Sequence, residues 1–232
     1  MHCLRGRANL PDRSGVAGMS AARKPFRREG EDQRRRTLVE ATLTCIATLG
    51  MEGTTVREIA IKAGVTPGLI RHYFLSKDDL VLAAYSHYVD QMARQSREAV
   101  GSAAPDPLSK LAAFVRANLS APVVDQTNLA LWAGFIKTVR TSPATAAIHL
   151  EGYSGYRTDA ENLICAAFAH IKRETTASDL RHLAILLNAI IDGLWLEGSL
   201  APGEFADGEL ATIGIAGASA LLGLNLAKAG LV

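Results

Sequence analysis

Between residues 55 and 79 the sequence signals three helix starts in succession. Thr55 opens the pattern T-x-x-E with Glu58 at the third helical position; both side chains can then bind backbone N–H groups that a helix start leaves without partners. Thr66 precedes Pro67, and proline suits the first helical position because the N–H it lacks would have had no helical acceptor. Ser76-x-x-Asp79 repeats the first pattern with aspartate in the last place. Gly64 supplies the left-handed step that closes one helix before the next begins. Helix starts this close together leave room only for two short helices joined by a tight turn, with a third departing at Ser76. That is a helix-turn-helix unit, which needs a preceding helix as support.

The support is present. Leu38, Ala41, Thr42, Cys45, Ile46 and Leu49 recur at helical spacing, predicting a helix from about Glu31 to Leu49 that Gly50 and Gly53 end. The helix from Ser76 is expected to run to about Val100, where Gly101 to Pro107 breaks it. Further helices are expected at about 107–120, 123–141, 144–171, 178–197 and 206–228, punctuated by Pro122, Pro143 and Pro202-Gly203. No strand-like alternation and no internal repeat is visible. The fold class is all-α with about nine helices. Its expected division is a disordered basic arm at 1–30, a helix-turn-helix domain at 31–76 and a helical body at 77–232.

Charge also separates along the chain. The chain carries +2 overall, yet residues 1–36 hold ten basic and four acidic side chains, leaving −4 on the remainder. A basic segment over residues 1–36, which includes Arg35, on a mildly acidic body points to a polyanionic partner near the N-terminus; a solubilising tail is the bland alternative. In the second short helix Thr66, Pro67 and Gly68 are small enough to let its start approach a major groove. Free N–H groups at that start suit phosphates. Arg71 and His72 can reach base edges or phosphates, Tyr73 and Lys77 suit the sugar–phosphate backbone, and Thr55 can cap its helix while contacting a phosphate. Phe74 is expected in the core.

The run "TTVREIAIKAGVTPGLIRHYFLSKDDL", with Y-F-x-S-K at Tyr73 to Lys77, resembles the N-terminal region of TetR-type transcriptional regulators over residues 31–80. The resemblance implies a homodimeric repressor that binds double-stranded operator DNA through its N-terminal helices and is released by a small-molecule inducer. It also implies that Thr55, Thr66, Tyr73 and Lys77 hold phosphates, while Pro67, Gly68, Arg71 and His72 lie against the groove.

The C-terminal part is read from its own residues. Leu183, Leu186, Leu187, Ile190, Ile191 and Leu194 make the eighth helix apolar on more than one face. The ninth carries Gly214, Gly217 and Gly223, and an interior glycine costs about 1 kcal/mol relative to alanine, so close helix–helix approach is expected there. An isologous homodimer through these two helices would explain both; a central place in a monomer core is the alternative. Aromatics are scarce, yet Phe114, Trp132, Phe135, Tyr153, Tyr156 and Trp195 fall in the middle helices, with Asp192 and Glu197 flanking Trp195. Aromatic faces beside a carboxylate suit a cation, and Phe114, Trp132, Phe135, Tyr156, Asp192 and Trp195 are the candidate ligand residues. "IIDGLWLEGSL" at 190–200 and the Trp132 stretch resemble the choline-responsive BetI branch of the family, which carries a second aromatic where this chain has Ile136.

Other function classes find little footing. "GYSG" at 152–155 lacks the spacing of a nucleophile elbow, the six histidines form no metal-binding pair pattern, and no phosphate-binding loop occurs; neither catalysis nor a cofactor is expected. A helical adaptor without DNA contact is the alternative function. Cys3, Cys45 and Cys165 are too far apart for a disulfide framework, and the N-terminus lacks a signal peptide's apolar segment, so a cytoplasmic protein is expected. Met19 is a second candidate start. Ala211 to Ala227 is uncharged but falls short of a membrane span and includes Thr212, Ser219 and Asn225; a buried helix is expected, with no membrane partner.

Overall fold

A computed structural model describes the backbone of residues 23–229 and the side chains of residues 30–229. The described residues form nine α-helices and no strand: α1 Arg23–Gly53, α2 Val56–Ala63, α3 Pro67–Tyr73, α4 Lys77–Ser102, α5 Pro107–Asn118, α6 Gln126–Thr141, α7 Pro143–His170, α8 Ala177–Leu200 and α9 Glu209–Leu222, with a 3-10 turn at Pro202–Glu204. The chain divides between Arg36 and Thr37 into two units.

The helix starts are where the capping chemistry puts them. Thr55 Oγ1 accepts the Glu58 N–H at 3.1 Å, Thr66 Oγ1 that of Leu69 at 3.4 Å, and Ser76 Oγ that of Asp79 at 3.0 Å. Gly64 takes φ 66° and ψ 35°, so its own N–H and that of Val65 turn back to the last carbonyls of α2. A reciprocal box that the sequence reading passed over starts α8: Thr176 Oγ1 accepts the Asp179 N–H, and the Asp179 carboxylate accepts the Thr176 N–H.

Several boundaries differ from expectation. Helix α1 starts at Arg23 rather than near Glu31, so residues 23–30, expected in a disordered arm, are helical; the expected arm at 1–22 lies outside the described residues. Arginine, lysine and glutamate extend a helix at little cost, and Pro25 falls in the first turn, where N–H groups have no helical acceptor. Helix α6 starts at Gln126 rather than 123, because Val123 and Val124 turn back to the Ser120 carbonyl and Asp125 caps the Thr127 N–H. Helix α9 ends at Leu222, not 228, since Gly223 turns left-handed and the Leu224 N–H closes on the Ser219 carbonyl. The tail still buries Leu224 and Leu226.

Two apolar cores organise the helices. Leu38, Ile46, Ile59, Ile70, Phe74, Leu80 and Ala84 pack with Tyr85, Tyr88, Leu131 and Phe135, joining α1–α4 to α6. Each fully buried Leu, Ile or Phe contributes about 1.5–3 kcal/mol, enough to hold helices as short as α2 and α3, which would not persist alone. The packing runs through residue 76, the expected domain boundary, without a break. The second core draws Leu111, Phe114 and Val115 of α5 together with Ile164 and Phe168 of α7, Leu187 and Ile191 of α8, and Ile215 and Leu222 of α9.

The glycine-rich ninth helix earns its close approach inside this second core. A Cβ on Gly214 would overlap Leu119 Cδ1 and lie 3.3 Å from Val115, whereas one on Gly217 would meet only Ile190 at 3.5 Å. Gly214→Ala is therefore expected to destabilise the fold by about 1–3 kcal/mol despite its better helix propensity. Gly217→Ala is expected to leave stability unchanged or raise it. Urea midpoints distinguish the two; a Gly214→Ala midpoint at or above that of the parent protein contradicts the packing.

Helices α8 and α9 also leave an apolar stripe uncovered. Leu186, Leu196 and Leu200 of α8 are 50%, 36% and 65% exposed, and Ile213 of α9 is 40% exposed. Ala189 and Gly193 of α8 and Ala216 and Ala220 of α9 are exposed at positions that continue these rows at helical spacing. By length and composition α8 could cross a membrane, with a mean hydropathy of 1.5 over its most apolar window, a third of which is buried. Its buried face, however, belongs to the second core and includes Asn188.

Candidate nucleic-acid interface and effector site

The start of α3 projects into solvent. Thr66, Pro67 and Gly68 are exposed, as are Arg71 and His72 one turn further on, while Ile70 and Phe74 on the opposite side are buried in the first core. A seven-residue helix with its inner side anchored at Ile70 and Phe74 has only its leading end and outer face to offer. Thr55 is exposed at the start of α2; Arg57 and Lys62, which the sequence reading did not single out, are exposed along the same helix. Tyr73 is half-buried, with its ring edge-on to His72 at 5.1 Å, and Lys77 is half-buried in the first turn of α4. Arg35 is exposed on the part of α1 that precedes Thr37. Eight of these nine candidates fall in the second unit, on α2, α3 or the residues that cap and follow them. The set offers hydroxyls and cations suited to phosphates, and two longer side chains on α3 suited to base edges.

The six candidate ligand residues separate into groups. Trp132 of α6 and Trp195 of α8 meet edge-to-face with ring centroids 6.0 Å apart; Trp132 is 42% exposed, and the Trp195 Nε1–H donates to the Val123 carbonyl at 2.9 Å. Asp192 stands one helical turn before Trp195 on α8 and is exposed at its margin. Phe114 and Tyr156 form a second pair, 4.9 Å apart, at the second core. Phe135 does not join either pair. It is 1% exposed in the first core, against Tyr85 at 4.6 Å and Tyr88 at 6.3 Å, because its α6 position faces α4.

Asp192 has partners that composition did not reveal. Its Oδ2 accepts the Tyr153 hydroxyl at 2.8 Å and the Asn188 amide at 2.7 Å, and the same amide approaches the Tyr153 oxygen at 2.7 Å. Burial, then the hydrogen bond and charge of Asp192, push the Tyr153 hydroxyl above its ordinary range, so it keeps its proton and acts as a donor. The Arg157 guanidinium lies 4.8 Å from the Tyr153 ring centre. Burial also pushes Tyr156 well up, and its buried hydroxyl has no protein partner. Asn188 and Asp192, four apart on α8, and His149 and Tyr153, four apart on α7, are the spacings that could have flagged this cluster.

A cavity of about 370 Å³ opens between α4, α5 and α7, lined by Val100, Phe114 and Leu163 with Arg97, Lys110 and Asp159. Of the candidate ligand residues only Phe114 reaches it, so it is separate from the Trp132–Trp195 pair.

Residues 38–84 match the family "Bacterial regulatory proteins, tetR family", and residues 107–223 match "BetI-type transcriptional repressor, C-terminal". The chain is 34% identical to the HTH-type transcriptional regulator BetI of Burkholderia lata over 170 residues, 73% of this chain and 84% of that protein. A crystal structure of a transcriptional regulator from Pseudomonas aeruginosa PAO1 superimposes with a TM-score of 0.74 at 32% identity, covering 85% of this chain and 94% of that one. A regulator from Saccharomonospora viridis, determined in complex with choline, shares the fold at a TM-score of 0.66 and 20% identity, covering 79% and 94% of the two chains. The chain belongs to the tetR family of transcriptional regulators, with a C-terminal region of the BetI type.

Proposed function

We propose that this regulator is a cytoplasmic repressor, acting as a homodimer on two-fold symmetric operator DNA and released by a small organic cation. The observation that carries the DNA contact is the solvent-exposed start of α3, capped by Thr66 and backed by buried Ile70 and Phe74. On that footing Thr55, Thr66, Tyr73 and Lys77 hold phosphates, Arg71 and His72 read the groove, and Arg35 adds charge from α1. The uncovered stripe of α8 and α9 supports the homodimer, since a two-fold axis would pair the stripe with itself.

For the effector, the exposed Trp132 face, the Trp195 edge and the Asp192 carboxylate supply ring quadrupole and negative charge from two helices. The chemistry favours a quaternary amine, and choline is the natural probe. Phe114 and Tyr156 would close the inner side of such a site, and Phe135 supports it through the α4–α6 packing. An effector must bind the DNA-incompetent arrangement more tightly, or it shifts nothing. Tilting α4 would move the two α3 helices of a dimer away from the roughly 34–36 Å of one DNA turn.

Choline is expected to quench tryptophan emission and to release operator DNA. Trp132→Ala should weaken choline binding about three- to thirtyfold while leaving ligand-free operator affinity unchanged. Saturating choline that alters neither emission nor operator binding would remove the quaternary-amine assignment.

A further inference from the structure

We propose that Tyr85, His149, Tyr153 and Asp192 form a relay that couples the α8 carboxylate to α4, with His149 as its central positioning residue. The effector half of this inference rests on the cation site proposed above; the relay itself rests on geometry.

Helix α4 follows α3 after three residues, so displacement of its first turns moves the DNA-facing helix. Tyr85 lies on the third turn of α4. Its ring is held in the first core against Phe135, and its hydroxyl leaves that core to meet His149 Nδ1 on α7 at 2.9 Å. One turn along α7, the Tyr153 ring stacks on the His149 imidazole, 5.4 Å between centroids and 28° between planes. The Tyr153 hydroxyl then crosses to α8, where Asp192 Oδ2 accepts it at 2.8 Å. Three helices are thus joined by one file of polar and ring contacts. Beside that file α4 and α7 touch closely, since a Cβ on Gly152 would overlap Val89 Cγ1. Packing this tight lets a shift of the α7 side chains be felt by α4 rather than absorbed.

Asp192 is the end of the file that a ligand can reach. It is exposed, yet its Oδ2 holds both Tyr153 and Asn188. A quaternary ammonium has no N–H to donate and attracts a carboxylate by charge alone. Drawing Asp192 toward such a cation leaves the Tyr153 hydroxyl without its acceptor, and a part-buried donor turns to find another. Tyr153 cannot turn without disturbing the stacked His149, nor His149 without releasing Tyr85. Coupling along the file shows itself as non-additivity of substitutions at its two ends.

The test uses the full chain and a duplex that the protein itself selects from random-sequence DNA, with affinity read by fluorescence anisotropy and a random duplex as control. Tyr85→Phe, His149→Phe and Asp192→Ala are each expected to weaken the selected duplex about fivefold and the random duplex not at all. His149→Phe keeps the stack on Tyr153 and so breaks the Tyr85–His149 link from its other side, with melting temperatures confirming that each variant is folded. The double variant Tyr85→Phe with Asp192→Ala is expected within about twofold of either single variant; losses that multiply to about 25-fold overturn the relay. Any single variant with unchanged affinity overturns it as well. In Tyr85→Phe, choline should still quench tryptophan emission but release the duplex about fivefold less effectively, and undiminished release again counts against the relay. Failure of choline to bind the parent protein would remove the effector assignment alone, and the ligand-free cycle would then decide the relay.

Discussion

Arg71→Ala is expected to cost about 1–3 kcal/mol of affinity for the selected operator and almost nothing on random duplex, whereas Lys77→Ala should weaken both alike. The difference follows from where the two side chains stand. Arg71 is exposed on the outer face of α3, one residue past buried Ile70, with the reach and forked donors to bond a guanine edge. Lys77 opens α4 beyond the end of α3, where a point charge meets phosphate irrespective of sequence. The salt dependence separates them further, because loss of one phosphate contact should lower the slope of log affinity against log salt by about 1. Equal losses on both duplexes for both variants would contradict these roles.

The second large effect concerns the uncovered stripe. Leu186→Glu combined with Ile213→Glu is expected to convert a dimer to a monomer and to lower operator affinity by about 10²–10⁴-fold, since the second half-site is then no longer bound intramolecularly. Both side chains are at least 40% exposed in the single chain, so the fold itself should lose no more than about 0.5 kcal/mol. Sedimentation velocity and anisotropy read the two consequences separately. A doubly substituted protein that remains dimeric would place the interface elsewhere; a parent protein that is monomeric at every concentration would remove the homodimer.

The sequence made the head of the molecule legible because capping and turn chemistry act locally. Thr55, Thr66, Pro67 and Ser76 each specify a backbone state with their own side chain or ring, Gly64 does so by having no side chain, and all five occupy the positions their chemistry demands. The candidate ligand residues depended on tertiary packing, which residue type does not encode. Trp132 and Trp195 come together, but Phe135, only three residues after Trp132, points into the first core. One step of three along a helix still rotates a side chain by about 60° from its neighbour's face, and with α4 on one side and α8 on the other that rotation decides which core it enters. The partners of Asp192 were hidden for a similar reason. Tyr153, which the sequence marks only as an aromatic, reaches Asp192 from another helix, and Asn188, one turn before Asp192 on α8, carries no signal of its own. Gly214 gave a correct hint of close approach, though the neighbour it admits is Leu119 of its own chain.

Dimethyl sulfate protection of guanine N7 on the selected operator tests most directly whether the exposed tip of α3 occupies the major groove. Two protected patches centred about one helical turn apart, both lost in Arg71→Ala, are the predicted result. Undiminished methylation across the bound site, or protection that persists unchanged in that variant, would show that the protein grips DNA by some other surface.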